Sequence, residues 1–496
     1  MRKSNLAISL LAVMLTVFLL PTLAHAQLTR GAISGTIRDT TGAVIAEATI
    51  TVTNVNTNQA RQATTNGEGF YRFAAIEPGT YKITIQKTGF AGAEARDIIV
   101  RTSQEVTFDA ELNVAATTES VLVDISGQAE AIALNKTNPT IGLTASSRQA
   151  VELPLSPGRN VNNLTLLSPN AFSAPGSTGM SVNGQRARNN NFTIDGSDNN
   201  DISVTISTSP IVPEAVAEFQ VQTNPYNVEF GRNSGAQINV ITKSGTNQIH
   251  GDAFEYYGGS ALNALDNREK GNGLKRPARF NRNQFGFDLG GPIIKNRTFI
   301  FGLMQGDRLR SSGTPGAPVI IPTQAGFAAL NSVPLRPGQS AASRQAVLSS
   351  LGFLNDIYAL NPVFRNLSST TINTVSIPIA TTNIPISQPN NTWNFIIRGD
   401  HQLREGDSLT LRYSYNKPFT VNNASNTQFG SLFAGNTSTL DQNAAISETH
   451  VFTPRLLNEF RASYIRRNLQ FPENDPTTPS AGIGGFGNTN QFIVGG

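Results

Sequence analysis

The second half of the chain alternates apolar and polar residues in three stretches, residues 283–310, 391–416 and 458–467. A two-residue period places neighbouring side chains on opposite faces of a β-strand, so each stretch predicts strands with one apolar face. The apolar positions are Phe285, Phe287, Leu289, Leu409, Leu411, Tyr413, Tyr415, Phe460, Ala462 and Tyr464, and the polar positions between them include Gln284, Asp288, Thr410, Arg412 and Ser414. Turn residues near 295–297 and 404–407 fold the first two stretches into hairpins.

Shorter alternating segments fill residues 32–112. Asn-Gly at 66–67 and Pro-Gly at 78–79 are strong turn dipeptides, and residues 81–86 alternate apolar with polar side chains. About seven short strands at regular spacing predict a small β-sandwich.

The middle of the chain is richer in polar turns. Residues 181–201, SVNGQRARNNNFTIDGSDNND, crowd asparagine, aspartate and glycine around Phe192 and Ile194. Asn-Gly and Asp-Gly pairs predict tight turns at 183–184 and 195–196, and the two apolar residues predict one short strand. One helical signal capped by Ser146 or Ser147 and a second at residues 159–167 precede this stretch, so a compact α+β region is expected.

The amino terminus has the pattern of a secretory signal peptide. Arg2 and Lys3 precede an apolar run at residues 6–20, and small residues lead to a predicted cleavage between Ala26 and Gln27. The run is shorter than the roughly 20 residues that a membrane anchor needs. Everything after the cleavage point is therefore expected to be exported, and with no cysteine in the chain the fold uses no disulfides.

Composition and motifs exclude several classes of function. Charged residues make up 15% of the chain and the net charge is +4, without a basic patch of the kind that binds nucleic acid. The sequence has no nucleophile elbow, no phosphate-binding glycine motif and no cysteine nucleophile. None of His250, His401 and His450 has a glutamate three residues later, as a zinc peptidase would require. We therefore expect no enzyme, no catalytic residues, no metal and no cofactor.

The alternation of the second half leaves two architectures open. Hairpins with short turns on one side and a long Pro/Ser/Thr/Asn-rich loop at about 311–389 are typical of outer-membrane barrels, whose apolar face meets lipid. A soluble β-sandwich or propeller would bury the same apolar face.

Two resemblances to known families are present, and the second of them favours the barrel. The segments GTIRDTTGAVIAEATITV, TNGEGFYRF and IEPGTYKI resemble the carboxypeptidase regulatory-like domain, a transthyretin-like sandwich often grouped with carbohydrate-binding-like folds. The segments LPLSPGRNVNNLTLLSP, SVNGQRARNNNFTIDGSDNND, PEAVAEFQVQTNPYNVEFGRNSGAQINVITKSGTNQIHGDAFEYY and NQFGFDLGGPIIKNRTFIFG resemble Oar-like TonB-dependent outer-membrane receptors of the acidobacterial type.

The receptor resemblance implies a mainly β fold in five parts. These are a signal peptide at 1–26, a β-sandwich at 27–114, a linker at 115–134, an α+β plug at 135–245, and the first strands of a large antiparallel barrel at 246–496. The implied function is uptake of an unidentified large or scarce solute in the outer membrane. The implied partners are outer-membrane lipid, a TonB-type energy-coupling protein and an external ligand such as a carbohydrate.

Particular residues receive roles from the same resemblance. The candidate TonB-coupling strand is Glu119, Ser120, Val121, Leu122 and Val123, for which a last sandwich strand or plain linker is the alternative. The candidate plug turns and lumen contacts are Asn183, Gly184, Arg186, Arg188, Asp195 and Gly196, with both arginines expected to pair with acidic groups on the barrel wall. A calcium site at Asp195, Asp198 and Asp201 is an alternative, although their spacing differs from that of an EF-hand.

The length of the barrel region departs from the resemblance. A receptor barrel of this class has about 22 strands, whereas residues 246–496 supply about six to eight, so a truncated chain is expected. The alternative function is a secreted or surface-attached carbohydrate-binding, adhesive β-protein.

Overall fold

The computed structural model describes residues 30–114, 123–124, 141–155, 158–173, 179–201, 206–223, 233–265, 267–271, 275–277, 279–313, 319–359, 364–382, 386–424, 435–453 and 456–472. Within these ranges no helix combines the length and the apolar character that crossing a membrane requires.

Two facing sheets form the amino-terminal sandwich. Its strands are β1 (Gly31–Asp39), β2 (Thr49–Asn54), β3 (Ala60–Thr64), β4 (Phe70–Ile76), β5 (Gly79–Gln86), β6 (Ala93–Val100), β7 (Glu105–Thr107), β8 (Ala110–Leu112) and β9 (Val123–Asp124). One sheet has the order β4-β1-β7 with β8 also on β1, and the other has the order β3-β2-β5-β6-β9.

The sandwich core comes from alternating positions of these strands. Tyr81, Ile83 and Ile85 of β5 are buried, as the alternation predicts, and they pack with Ile33 and Phe108 from the facing sheet. Each such side chain contributes about 1.5–3 kcal/mol when fully buried, so the sandwich has a core of its own.

The middle domain is a five-stranded sheet with short helices. Its elements are β10 (Gly142–Ser146), α1 (Ser147–Glu152), a 3-10 helix (Val161–Leu167), β11 (Ala171–Ser173), β12 (Met180–Val182), a 3-10 helix (Ala187–Asn189), β13 (Asn191–Ile194), β14 (Ser197–Asp198), a 3-10 helix (Pro213–Ala215), β15 (Val216–Gln222) and β16 (Gln237–Thr242). The sheet order is β10-β15-β16-β13-β14, and β11 pairs separately with β12. Ser146 caps α1 through a capping box with Gln149, which places the helix start at the serine signal of the sequence.

The second half forms one open antiparallel sheet. Its strands are β17 (Ala253–Gly259), β18 (Phe280–Ile294), β19 (Thr298–Gly313), β23 (Ile386–Ser387), β24 (Asn390–Arg404), β25 (Asp407–Ala424), β26 (Gly435–Thr453) and β27 (Leu456–Gln470). They pair in the order β17-β18-β19-β24-β25-β26-β27, with β23 also on β19, and a 3-10 helix (Ser260–Leu262) and α2 (Asn267–Gly271) follow β17.

The exposed and buried faces of this sheet are inverted relative to a soluble fold. Phe287 and Leu289 are 54% and 57% exposed, whereas Gln284 and Asp288 on the other face are buried. Trp393, also on the exposed face, packs edge-on against Phe285. An exposed apolar face and a covered polar face are what a barrel wall between lipid and lumen requires, so the mainly β barrel fold is confirmed.

The long segment between β19 and β23 folds on itself. It contains β20 (Val319–Pro322), α3 (Gln324–Ala329), a 3-10 helix (Leu330–Ser332), α4 (Ala341–Ser350), α5 (Phe353–Ala359), β21 (Arg365–Ile372) and β22 (Val375–Thr382). Ile321, Leu354 and Ile377 are almost completely buried in its core. The expected long loop is therefore a small insertion domain, because its few apolar residues suffice to pack a three-stranded sheet against its helices.

Candidate functional site

The middle domain lies against the polar face of the open sheet. Backbone oxygens of the middle domain accept hydrogen bonds from wall side chains: Asp198 O from Asn443 Nδ2 at 3.1 Å, and Thr242 O from Arg398 Nη1 at 2.8 Å. The strands of the wall thus position donors toward the domain that lies against them.

A tight turn presents the central carboxylate of this contact. Asp195 and Gly196 have φ values of 48° and 70°, as a two-residue hairpin between β13 and β14 requires. Thr242 holds the Asp195 side chain in place, because its backbone N–H and its hydroxyl donate to the two carboxylate oxygens at 2.9 and 2.8 Å. The turn therefore aims a fixed negative charge at the wall.

Two buried arginines of the wall meet that charge. Arg412 Nε lies 2.9 Å from Asp195 Oδ2 and Arg398 Nη1 lies 3.4 Å from Asp195 Oδ1. The Arg412 contact is ionic, since its Nε–H is not aligned for a hydrogen bond. Asp400 supplies the second negative charge, 2.9 Å from Arg398 Nη2. We call Asp195, Arg398, Asp400 and Arg412 the latch cluster; its two positive and two negative charges balance.

Further contacts between the middle domain and the wall lie along β27. Together with the latch cluster we call these contacts the seam. Arg461 Nη1 donates to Gly196 O at 2.7 Å, and Arg467 Nη1 lies 2.6 Å from Asp201 Oδ2. The polar stretch at 181–201 therefore has a definite place: its second half follows the wall from β25 to β27. Short-range sequence reasoning found the turn but could not find its partners, which are more than 200 residues away.

The positive and negative charges of the seam lie on the opposite partners from those expected. Arg186 and Arg188 lie on the exposed surface, and no ion pair joins either of them to another residue in the described ranges. The wall supplies the arginines and the middle domain the carboxylates. Asn183 and Gly184 form a turn with φ values of 53° and 72°, and Asn183 Nδ2 donates to Thr223 O within the middle domain.

The same geometry leaves the calcium alternative without support. Asp195 and Asp201 face different arginines, and Asp198 Oδ1 accepts hydrogen bonds from Asn200. Three carboxylates that point to separate partners do not form the oxygen cage that calcium needs.

Part of the wall is apolar where a polar lumen was expected. Phe301 and Leu303 of β19 and Ile396 of β24 are buried in the hydrophobic core of the middle domain. The domain is therefore seated by apolar packing on β19 and β24 and by charges on β24 to β27.

The sandwich contacts both the middle domain and the wall. Thr102 N donates to Glu218 Oε1 at 3.1 Å, and Gln220 Nε2 donates back to Thr102 O at 3.2 Å. At the short turns of the sheet, Gln62 N donates to Glu405 Oε1 at 3.1 Å. A cavity of about 560 Å³ lies between the three parts. The sandwich thus covers one end of the seam, and the insertion domain leaves from the other.

Comparison with known families decides what the open sheet is. The family described as Outer membrane beta barrel domain matches residues 241–496, more than half of the chain. The chain belongs to this family. The carboxypeptidase regulatory-like domain matches residues 32–113. The protein is therefore an outer-membrane protein, which contradicts the secreted form of the alternative function.

One relative of the barrel protein is a named transporter. The chain is 30% identical over 266 residues to the TonB-dependent transporter Oar of Myxococcus xanthus. This alignment covers 52% of this chain and 24% of the relative. The chain thus spans about a quarter of the length of the curated relative that it matches.

Two of the solved structures with partial similarity are siderophore receptors. The ferric enterobactin receptor of Pseudomonas aeruginosa is 10% identical, with 66% of this chain and 41% of that chain covered and a TM-score of 0.41. The siderophore receptor PirA of Acinetobacter baumannii is 12% identical, with 66% and 44% covered and a TM-score of 0.34.

The remaining sequence-based site residues lie mostly outside the described residues. These are Ala26 and Gln27 at the expected cleavage point and Glu119, Ser120, Val121 and Leu122 of the candidate coupling strand. Val123 is described: it begins β9 and pairs in parallel with Ala93 at the edge of a sandwich sheet.

Docking of the sandwich in the barrel protein is expected to depend on pH through Glu218. Burial raises the pKa of this carboxyl above its ordinary value, and the hydrogen bonds from Thr102 offset only part of the rise. The docked state therefore binds a proton more tightly, so docking is strongest below the ordinary pKa and weakens as pH rises through the raised one. We expect Glu218→Gln to flatten this dependence.

The readout is the hydrogen-exchange protection factor of the Thr102 amide in the intact chain at several pH values. Glu111→Gln, a change at an exposed sandwich carboxylate, is the control and should keep the native pH profile. An unchanged slope in Glu218→Gln would show that another group titrates.

Proposed function

We propose that this protein is a TonB-dependent outer-membrane receptor in which the middle domain is a plug, displaced to let a large or scarce solute pass. The latch cluster carries the proposal. Ion pairs and hydrogen bonds with long side chains hold the plug to the wall, and these contacts can break and reform without unfolding either part. The name of the Myxococcus relative agrees with this role.

A contact surface held by ion pairs suits a domain that has to be displaced. Arg398 and Asp400 pair within the wall, but Asp195 and Arg412 have their counter-charges only while the plug is in place, so the closed state is specific. Displacement exposes Asp195 and the two arginines together to lumen water, which hydrates them and compensates for the lost contacts. The plug is thus expected to have one stable seat and to leave it only when work is done on it.

Energised displacement can be tested with a single cysteine, because the natural chain has none. Ser197 lies in β14 beside the latch turn and is 3% exposed. We expect Ser197→Cys to react with a membrane-impermeant maleimide several-fold faster in energised cells than in cells treated with a protonophore. Ser332→Cys, on the exposed insertion domain, is the control and should react equally in both. Equal labelling of Ser197→Cys in both conditions would contradict plug displacement.

The coupling strand can be tested in the same background. Residues 119–123 are proposed to pair with the energy-coupling protein through backbone hydrogen bonds. Proline lacks the N–H group and disrupts such pairing, so Leu122→Pro should lower the labelling of Ser197→Cys to the protonophore level while the amount of protein in the membrane stays the same. Leu122→Val, which suits a strand, should behave as wild type. Normal energised labelling in the proline variant would remove these residues from the coupling role.

A further inference from the structure

Three metal-ligating side chains meet at the end of the wall where the sandwich docks. In the register of β25 and β26, Asp407 lies opposite His450, and Glu448 is two residues from His450 on the same face. One ligand atom from each residue lies within 4.8 Å of the others. These residues are 41 and 43 positions apart in sequence, so spacing motifs could not reveal them, and the sequence predicts no metal.

The cluster has an excess of lone-pair donors. Asp407 is 7% exposed, and its Oδ1 atom has no hydrogen-bond donor in the described ranges. Its Oδ2 atom accepts from Arg404 Nε at 3.0 Å, but the Arg404 side chain is 70% exposed and lies outside the cluster. A buried carboxylate oxygen beside a second carboxylate requires a proton or a cation. The orphan oxygen is the observation that points to a ligand.

The donor types and distances select the kind of cation. His450 Nδ1 lies 3.4 Å from Asp407 Oδ2. In a tetrahedral site with bonds of about 2.0–2.1 Å, neighbouring ligand atoms are separated by about 3.3 Å. One imidazole with two carboxylates suits Zn²⁺ and similar first-row ions better than Ca²⁺ or Mg²⁺, which prefer all-oxygen sites.

We propose that Asp407, Glu448 and His450 form a site for a divalent transition-metal ion, with Zn²⁺ as the best-fitting probe. The ion would join the turn at 404–407 to β26. The neighbouring Ser408 Oγ accepts a hydrogen bond from Arg30 Nη2 of the sandwich at 3.0 Å, so the ion would stiffen the rim on which the sandwich rests. This role is separate from solute uptake and does not depend on it.

Calorimetric titration of the intact chain in detergent with Zn²⁺ tests the site. We expect His450→Gln and Glu448→Gln each to weaken binding at least tenfold. His401→Gln is the matched control: this histidine lies on β24 with its Nδ1 2.8 Å from Thr298 Oγ1, and its loss should leave the affinity unchanged. Arg404→Gln, which removes a competing positive charge, should bind Zn²⁺ several-fold more tightly.

Cobalt gives a second readout that does not rely on affinity alone. Co²⁺ in the proposed site should show the intense visible absorption of a four-coordinate ion, and the band should disappear in His450→Gln. The proposal is overturned if wild type and His450→Gln bind Zn²⁺ equally. It is also overturned if Arg404→Gln abolishes binding, because the measured binding would then depend on the arginine and not on the three proposed ligands.

Discussion

Asp195→Ala is expected to loosen the middle domain, our proposed plug, from the barrel wall by about 3–5 kcal/mol, the usual cost of leaving a buried charge without its partner. The latch cluster has two positive and two negative charges, and the change leaves Asp400 as the one negative charge of the cluster beside Arg398 and Arg412. The readout is the midpoint of plug unfolding in urea, followed in the intact chain in detergent. Asp252→Ala, at an exposed aspartate near the first barrel strand, is the control.

A second substitution shows whether charge imbalance is the cause. Arg412→Met removes the arginine that Asp195 compensates and leaves Arg398 paired with Asp400. The double variant Asp195→Ala, Arg412→Met should therefore recover much of the stability lost in the single variant, since both charges of the pair are gone. If the two losses simply add, the latch cluster is not an electrostatic unit.

Phe301→Ala is expected to have a loss of similar size, about 3–5 kcal/mol, for a different reason. Phe301 of β19 is completely buried in the core of the plug, so truncation leaves a cavity in the apolar contact between plug and wall. The neighbouring Ile300 points to the opposite face and is 36% exposed, so Ile300→Ala is a control within the same strand. The readout is again the urea midpoint of the plug.

Asp195→Ala and Phe301→Ala distinguish the two kinds of contact between plug and wall, ion pairs and apolar packing. Phe301→Ala should not be rescued by Arg412→Met, because it leaves the charges of the latch cluster balanced. A loss in Ile300→Ala as large as that in Phe301→Ala would mean that β19 itself is destabilised and that its packing against the plug is not what was measured.

The sequence predicts those parts of the structure that depend on neighbours along the chain. Alternation assigns the faces of β18 and β25, and Asp-Gly at 195–196 predicts the latch turn. Ser146 marks the start of α1. Each of these features is set by residues within a few positions, where strand period, turn geometry and capping act.

The seam and the insertion domain depend on long-range packing. Asp195 pairs with Arg398, and the distance of 203 residues between them is bridged only when the wall curves around the plug. The segment at 311–389 has a loop-like composition, yet Ile321 and Ile377 meet in a small core. No local pattern predicts which wall arginine a plug carboxylate will face. This is why the sequence predicts the ion pairs with the wall at Arg186 and Arg188, whereas the wall itself supplies the arginines.

Trp393 is the only tryptophan of the protein, and it lies beside Phe285 on the outward face of the wall. Its indole emission consequently originates from one known position, so the native chain needs no added fluorophore. Lipids brominated at successive acyl carbons would quench that emission most strongly at its own level, and the result would give the depth at which the strand is immersed.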